Sequence, residues 1–481
     1  MMAVTEGAGG VTAEVGLHKR SSQPRPAAPR SKLFTLDEVA KHDSPTDCWV
    51  VIRRRVYDVT AWVPQHPGGN LIFVKAGRDC TQLFDSYHPL SARAVLDKFY
   101  IGEVDVRPGD EQFLVAFEED TEEGQFYTVL KKRVEKYFRE NKLNPRATGA
   151  MYAKSLTILA GLALSFYGTF FAFSSAPASL LSAVLLGICM AEVGVSIMHD
   201  ANHGAFARNT WASHALGATL DIVGASSFMW RQQHVVGHHA YTNVDGQDPD
   251  LRVKDPDVRR VTKFQPQQSY QAYQHIYLAF LYGLLAIKSV LLDDFMALSS
   301  GAIGSVKVAK LTPGEKLVFW GGKALWLGYF VLLPVVKSRH SWPLLAACWL
   351  LSEFVTGWML AFMFQVAHVT SDVSYLEADK TGKVPRGWAA AQAATTADFA
   401  HGSWFWTQIS GGLNYQVVHH LFPGICHLHY PAIAPIVLDT CKEFNVPYHV
   451  YPTFVRALAA HFKHLKDMGA PTAIPSLATV G

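Results

Sequence analysis

Three short stretches hold seven of the chain's 21 histidines: His199-Asp-Ala-Asn-His203, His234-Val-Val-Gly-His238-His239 and Gln416-Val-Val-His419-His420. Residues four apart on a helix share a face, so an i, i+4 pair aims two ring nitrogens the same way, and an adjacent His pair adds a third. Such a set surrounds metal. A zinc ion needs four ligands, usually with cysteine among them. Seven imidazoles are too many for one tetrahedral ion and suit two irons. Soluble di-iron bundles use Glu with Glu-x-x-His pairs, and this chain has no such pair. Neutral nitrogen donors keep the charge of the site high, and exclusion of water would protect a strong oxidant, which suits attack on an unactivated C–H bond.

A second candidate lies near the N-terminus. His66-Pro-Gly-Gly69 precedes His88 by 22 residues, with Leu71, Ile72, Phe73, Val74, Leu83 and Phe84 between. The glycines permit a backbone turn that brings one imidazole to a flat apolar pocket, which the second histidine closes. Two axial imidazoles would leave a haem no open position and restrict it to electron transfer. On spacing alone, two surface histidines near a turn explain the pattern as well.

The elements that must hold these groups divide by composition. The chain has 481 residues, 49% of them hydrophobic, which is high for a soluble protein, and a net charge of only +3, which excludes a nucleic-acid binder. Six scattered cysteines without a C-x-x-C pair read as reduced thiols. Residues 1–31 read as a flexible tail. Residues 33–105 form a small α+β domain, opened by the capping box Thr35-Leu-Asp-Glu38 and carrying strands at Trp49–Ile52 and Val56–Val59. A linker over 106–154 includes the acidic run 118–123 and a basic segment, 131–154, expected to lie against anionic headgroups.

Residues 155–191 carry no charge and break at Ser174-Ser-Ala-Pro-Ala178, which predicts a hairpin of two spans; Leu317–Val336 and Pro343–Phe364 predict a second. An even number of crossings then separates the His clusters, so all three lie on one membrane face, and the basic segment makes that face cytosolic. The apolar run Ile276–Leu292 would break this parity if it crossed alone, so it is read as interfacial or half-inserted. Lys323 is expected to snorkel from the third span.

Two resemblances narrow these readings. Asp47-Cys-Trp-Val50, Val56-Tyr-Asp-Val59, the His66-Pro-Gly-Gly69 turn and Tyr87-His88 resemble a cytochrome b5 domain across 33–105. That resemblance implies haem b held by His66 and His88. The order of the three His boxes resembles the membrane fatty acid desaturases, and the fused haem domain with Gln416 at the head of the third box resembles their front-end subgroup. Met198–Gly204, Ser226–His234, Asp255–Arg260 and Gly411–Pro423 look most like plant and algal acyl-lipid Δ5-desaturases.

The resemblance implies an all-α membrane domain over 155–460 with four transmembrane helices and a cytosolic His-rich di-iron cap, followed by a tail over 461–481. The ligands it implies are His199, His203, His234, His238, His239, His419 and His420. His368 is a further ligand, although Phe364 stands where the family has asparagine, and Gln416 coordinates iron or holds a water. It further implies two iron ions with O2 as co-substrate, and electrons from NADH-cytochrome b5 reductase. The substrate would be a C20 polyunsaturated acyl chain on a lipid or coenzyme A, desaturated at Δ5 in the endoplasmic reticulum membrane. Δ6, Δ4 and sphingolipid Δ8 activities share the architecture. A hydroxylase or a non-enzymatic haem electron carrier are the other readings.

Several neighbours of the boxes also invite roles. Glu192, two turns before His199, either orients that imidazole or makes an interhelical hydrogen bond, and Asp200 and Asn202 act similarly. Trp230, Trp404 and Trp406 line an acyl channel or belong to an interfacial belt. His401, His427 and His429, outside the box spacing, are read as surface or structural.

Overall fold

The computed structural model describes residues 31–66, 72–110, 114–118, 122–207, 209–251 and 257–470. The N-terminal tail, most of the HPGG turn, half of the acidic run, and Asp255 and Pro256 lie outside the described residues.

The α+β domain is built on a five-stranded sheet in the order Leu33–Phe34, Tyr100–Val104, Arg55–Asp58, Asp47–Ile52, Asp43–Ser44. Trp49 pairs with Asp58 and Val50 with Tyr57 in an antiparallel hairpin. Alternation decides what each face buries. Cys48, Val50, Ile52 and Tyr57 pack toward the His66–His88 side, with Trp62, Ile72 and Phe84. Val51 and Val56 pack the other way, against Phe34 and Val39. Thr35 and Glu38 form the expected reciprocal cap.

The segment expected on headgroups does something else. Helix Glu122–Glu140 buries Phe126, Leu130, Val134 and Phe138, one every fourth residue, against Tyr430, Ile433, Val437 and Cys441. Burying such side chains is worth ~1.5–3 kcal/mol each, against ~1 kcal/mol per basic residue at an anionic surface, so the apolar stripe wins. Arg133 joins Thr440 and Glu443 instead of lipid phosphates.

Among the described residues, five helices are long and apolar enough to cross a membrane: Gly149–Ala172, Ala176–Asn202, Ser269–Ser300, Pro313–Lys337 and Trp342–His368. The first begins before residue 155, so the boundary expected there falls inside a helix. The two hairpins are present, with breaks at 173–175 and 338–341. The second and last helices pack closely at Gly187, where a Cβ would meet the Ser352 carbonyl and where Thr356 Oγ1 donates to Gly187 O at 3.1 Å.

Ser269–Ser300 is longer than the run read from the sequence, and both its ends are tied to the layer that carries the His boxes. Gln271 and Gln274 donate to the carbonyls of Asp257 and Leu465, and beyond its other end Ser305 donates to Gln247 O. Its middle touches the last helix at Gly283, against Gly357. Lys323 does not snorkel: its ammonium donates to Asp294 at 2.6 Å and to the Gly224 and Val290 carbonyls. Three oxygens around a part-buried cation replace the solvent it would have sought.

The tail expected from 461 is also corrected, because helix Phe454–Gly469 runs through that boundary and buries His461, His464 and Leu465. His461 Nδ1 meets the Val369 carbonyl at the end of the last apolar helix, and His464 stacks on Tyr375. Polar groups anchored in the core hold this segment down.

Candidate metal centre

Each His box sits where a helix changes geometry. The second apolar helix widens to a π-helical turn at Val193–Met198 and then delivers His199–Asn202. Box two lies in a second π-helical stretch, Arg231–His238, entered through a cap in which Ser226 Oγ accepts from Met229 N. Such turns recur at functional sites because they re-aim side chains. Box three, Gln416–Leu421, follows Gly411 and Gly412, both at positive φ (61° and 76°). A Cβ on Gly411 would collide with the Val195 carbonyl, so glycine is what lets box three close on the π-turn of box one.

Eight imidazoles converge in two groups. His199, His203, His234 and His419 form one, with ligand atoms mutually within 4.8 Å; His238, His368 and His420 form the other. His239 belongs beside the first, its Nε2 lying 3.2 Å from His234 Nε2 and 3.0 Å from His419 Nε2. Box two therefore pairs His234 with His239, five apart, and sends His238 to the other group, where the sequence reading had paired residues four apart. The π-helical turn is the reason. Gln416 joins the second group through its amide, 2.9 Å from His368 Nε2 and 3.3 Å from His420 Nε2. Phe364 walls that group, its ring centroid 5.0 Å from that of His238 and 4.7 Å from that of His368.

Five of the eight imidazoles have their Nδ1 held by a named side chain. His234 Nδ1 donates to Asp250 at 2.9 Å, His238 Nδ1 to Asp248 at 2.9 Å and His420 Nδ1 to Gln392 Oε1 at 2.8 Å. His419 Nδ1 lies 3.1 Å from the Tyr430 hydroxyl, and His203 Nδ1 lies 2.5 Å from that of Tyr87. A carboxylate or amide oxygen on Nδ1 fixes the tautomer that leaves a lone pair on Nε2.

The inward nitrogens thus face one another, and Nε2 of both His203 and His238 is buried without a hydrogen-bond partner. Burial, reinforced by neighbouring imidazoles, holds His203, His239, His419 and His420 well below the usual imidazole range. Burial likewise brings His234 down to about 4 despite Asp250. At His238 burial is outweighed by Asp248, which raises its pKa, the opposite direction from its neighbours. Inward-facing imidazole nitrogens at this spacing are a donor set that a cation satisfies, so the residues fit two metal ions.

In the α+β domain, His66 Nε2 and His88 Nε2 face each other at 3.5 Å. His88 Nδ1 donates to Phe84 O at 3.0 Å, which leaves its Nε2 for a ligand, and burial followed by the nearness of His66 pushes its pKa down to about 4. Two facing imidazoles beside the apolar cluster of Val63, Ile72, Phe73 and Phe84 suit a bis-histidine haem.

Other expectations fare differently. Glu192 does not reach His199; it accepts from Ser196 Oγ at 2.7 Å and lies 4.0 Å from Lys154. Asp200 accepts from His427 Nδ1 at 2.9 Å and stands 4.0 Å from His199 Nδ1. Asn202 accepts from Arg231 and donates to Gly217 O. Trp230 packs on the first group, its ring centroid 4.5 Å from that of His234, whereas Trp404 is 76% exposed and Trp406 stacks on Phe454. His427 is fully buried, with Lys154 Nζ 3.2 Å from its Nε2, and His401 binds Asp398. Sequence reasoning missed Asp248, Asp250, Gln392, Tyr430 and Tyr87. Asp248-Pro-Asp250 gave a faint signal, two carboxylates in a turn soon after box two.

A haem-type domain joined to a polyhistidine centre among membrane-length helices defines a membrane oxidoreductase. The comparisons say which kind. The fatty acid desaturase family model matches residues 174–452, and the cytochrome b5-like heme/steroid binding domain matches 35–105. An acyl-lipid (8-3)-desaturase of Physcomitrium patens is 58% identical over 91% of this chain and 92% of its own length. A Delta(5) fatty acid desaturase A of Dictyostelium discoideum is 35% identical over 91% and 94%. An acyl-lipid (8-3)-desaturase of Mortierella alpina is 36% identical over 92% and 98%. The chain belongs to the fatty acid desaturase family, with a cytochrome b5 domain fused at its N-terminal side.

Proposed function

We propose that this protein is a front-end acyl-lipid desaturase that places a cis double bond at Δ5 of C20 polyunsaturated chains. It would turn dihomo-gamma-linolenate into arachidonate and eicosatetraenoate into eicosapentaenoate. The observation that carries this is the 58% identity, over nearly the full length of both chains, to an acyl-lipid (8-3)-desaturase. We read 8-3 as a bond set three carbons toward the carboxyl from one at carbon 8, the position that the Delta(5) relatives' names give directly.

In this reading His199, His203, His234, His239 and His419 hold one iron, and His238, His368 and His420 hold the other. Gln416 serves the second iron directly or through a water; rotating its amide would place the otherwise unpartnered Oε1 among the imidazoles. When bound, the haem supplies electrons one at a time and the two irons activate O2 toward a methylene C–H bond. The chain does the rest. Asp248, Asp250, Gln392 and Tyr430 orient the imidazoles, while Trp230 and Phe364 present apolar walls that exclude water. A methylene chain has no polar handle, so the enclosing helices measure it by length and bend.

Four crossings fit this reading, with Ser269–Ser300 half-inserted because both its ends attach to the His-bearing layer. The domain limits become 33–105 for the haem domain and about 149–470 for the membrane domain. The endoplasmic reticulum membrane, with the His boxes cytosolic and NADH-cytochrome b5 reductase as donor, completes the proposal. Yeast expressing the protein and fed C18 or C20 polyunsaturated acids separately tests it, with bond positions read by mass spectrometry. Δ5 products from C20 acids are expected. Δ6 products from C18 acids with C20 acids untouched, or hydroxy-acyl products, would overturn it.

A further inference from the structure

Five of the eight histidines in the metal centre have Nδ1 held by a named side chain, and their partners share a pattern with one exception. Asp248, Asp250, Gln392 and Tyr430 all belong to the membrane domain, but the partner of His203 is Tyr87, which belongs to the haem domain. Tyr87 is also the residue immediately before His88, the haem-ligand candidate that ends helix Thr81–Tyr87. Its ring stacks on that of His203 at 17°, with centroids 6.2 Å apart.

The contact sits in a built interface. Lys131 of the helix linking the two domains donates to the carbonyls of Asp85 and His88, pinning the backbone on either side of Tyr87. Arg78 donates to Lys307 O at 2.6 Å, Gln82 donates to Val115 O at 3.3 Å, and Val74 packs with Val236 and Val306. These contacts fix one face of the haem domain against the metal centre.

We infer that Tyr87 is the positioning residue that couples the two redox centres, its hydroxyl joining the peptide of a haem ligand to the imidazole of an iron ligand. Electron tunnelling weakens exponentially with distance and falls off more slowly through bonds than through gaps. The sequence His88 backbone, Tyr87 ring, hydroxyl, His203 imidazole contains a single non-covalent link, a hydrogen bond. In the coupled step one electron leaves ferrous haem, which becomes ferric, and reduces a ferric ion on the His203 side to ferrous. The phenol and His203 keep the proton they share, so no atom moves. The reductase proposed above, or any chemical reductant of the haem, supplies the electron.

The inference rests on His203 being an iron ligand, and the two can fail separately. The test uses full-length protein loaded with haem and iron in lipid nanodiscs, without oxygen. The haem is reduced by a flash-generated flavin semiquinone, and its reoxidation is followed at the Soret band. In Tyr87→Phe, haem content, haem potential and non-haem iron are expected to match wild type, while reoxidation slows by about tenfold or more, the scale at which partners of ligating histidines act. Tyr87→Leu, which also removes the ring, is expected to be slower still. Reoxidation within about twofold of wild type in both variants, with iron intact, would overturn the coupling. Loss of iron in Tyr87→Phe would overturn it too, by making the hydroxyl a support for His203 alone. Full iron in His203→Ala would instead remove the ligand reading on which the inference stands.

Discussion

The two histidine groups are built differently, and the contrast shows how one site is made of unequal halves. The first draws only on the three boxes, adds His239 and touches the haem domain through Tyr87. The second takes His368 from the end of an apolar helix, replaces an imidazole with the Gln416 amide and is walled by Phe364. Successive helical residues point about 100° apart, so the adjacent pairs split: His239 and His419 serve the first group, His238 and His420 the second. Boxes two and three therefore each contribute to both halves.

The contrast can be broken most severely at the first group. His199→Ala is expected to abolish product, by ~10³-fold or more on the scale of residues that make catalysis possible, and to lower non-haem iron while the haem spectrum persists. Unchanged iron by atomic absorption would refute the grouping. Next come the carboxylates. Asp250→Asn and Asp248→Asn should each weaken iron retention by about 10–100-fold in chelator competition, the former chiefly through His234 and the latter through His238. Identical effects of the two variants on both irons, read by Mössbauer spectra, would show that the halves are not distinct.

Gln416→His tests the inequality itself. It should keep both irons and change turnover by only a few-fold, because a neutral nitrogen replaces a neutral amide; loss of the second iron would mean that the amide oxygen is required. The smallest effect is expected for Glu192→Gln, whose partners are Ser196 and Lys154 and not a ligand. Iron and turnover should stay within about twofold of wild type, and a larger fall in iron would restore the imidazole-orienting role, one of the two the sequence allowed.

Much of the site was legible because metal chemistry restricts residue types. The boxes stand out by composition and spacing alone, whereas the His66–His88 pair and His368 needed the family resemblance to single them out. What stayed hidden depended on tertiary approach. The pairing of His234 with His239 required a π-helical turn, and Asp248, Asp250, Gln392 and Tyr430 reach the imidazoles from loops and helices whose packing no local pattern encodes. The linking helix was misread for a related reason: its many Lys and Arg residues obscured the stripe Phe126, Leu130, Val134, Phe138. Capping and strand alternation in the haem domain were legible because they are local.

The terminal helix carries a consequence for how the protein is made. His461 meets the Val369 carbonyl from 92 residues downstream, and Arg260 and Gln274 bind the carbonyls of Met468 and Leu465. The end of the helix that presents His368 therefore stays unfinished on the ribosome until residues 461–468 have been translated. A nascent chain stalled before residue 461 should be inserted in the membrane and able to fold its haem domain, yet be unable to retain iron. Assembly of the oxidising centre thereby waits for a segment made about 90 residues after the helix that it completes.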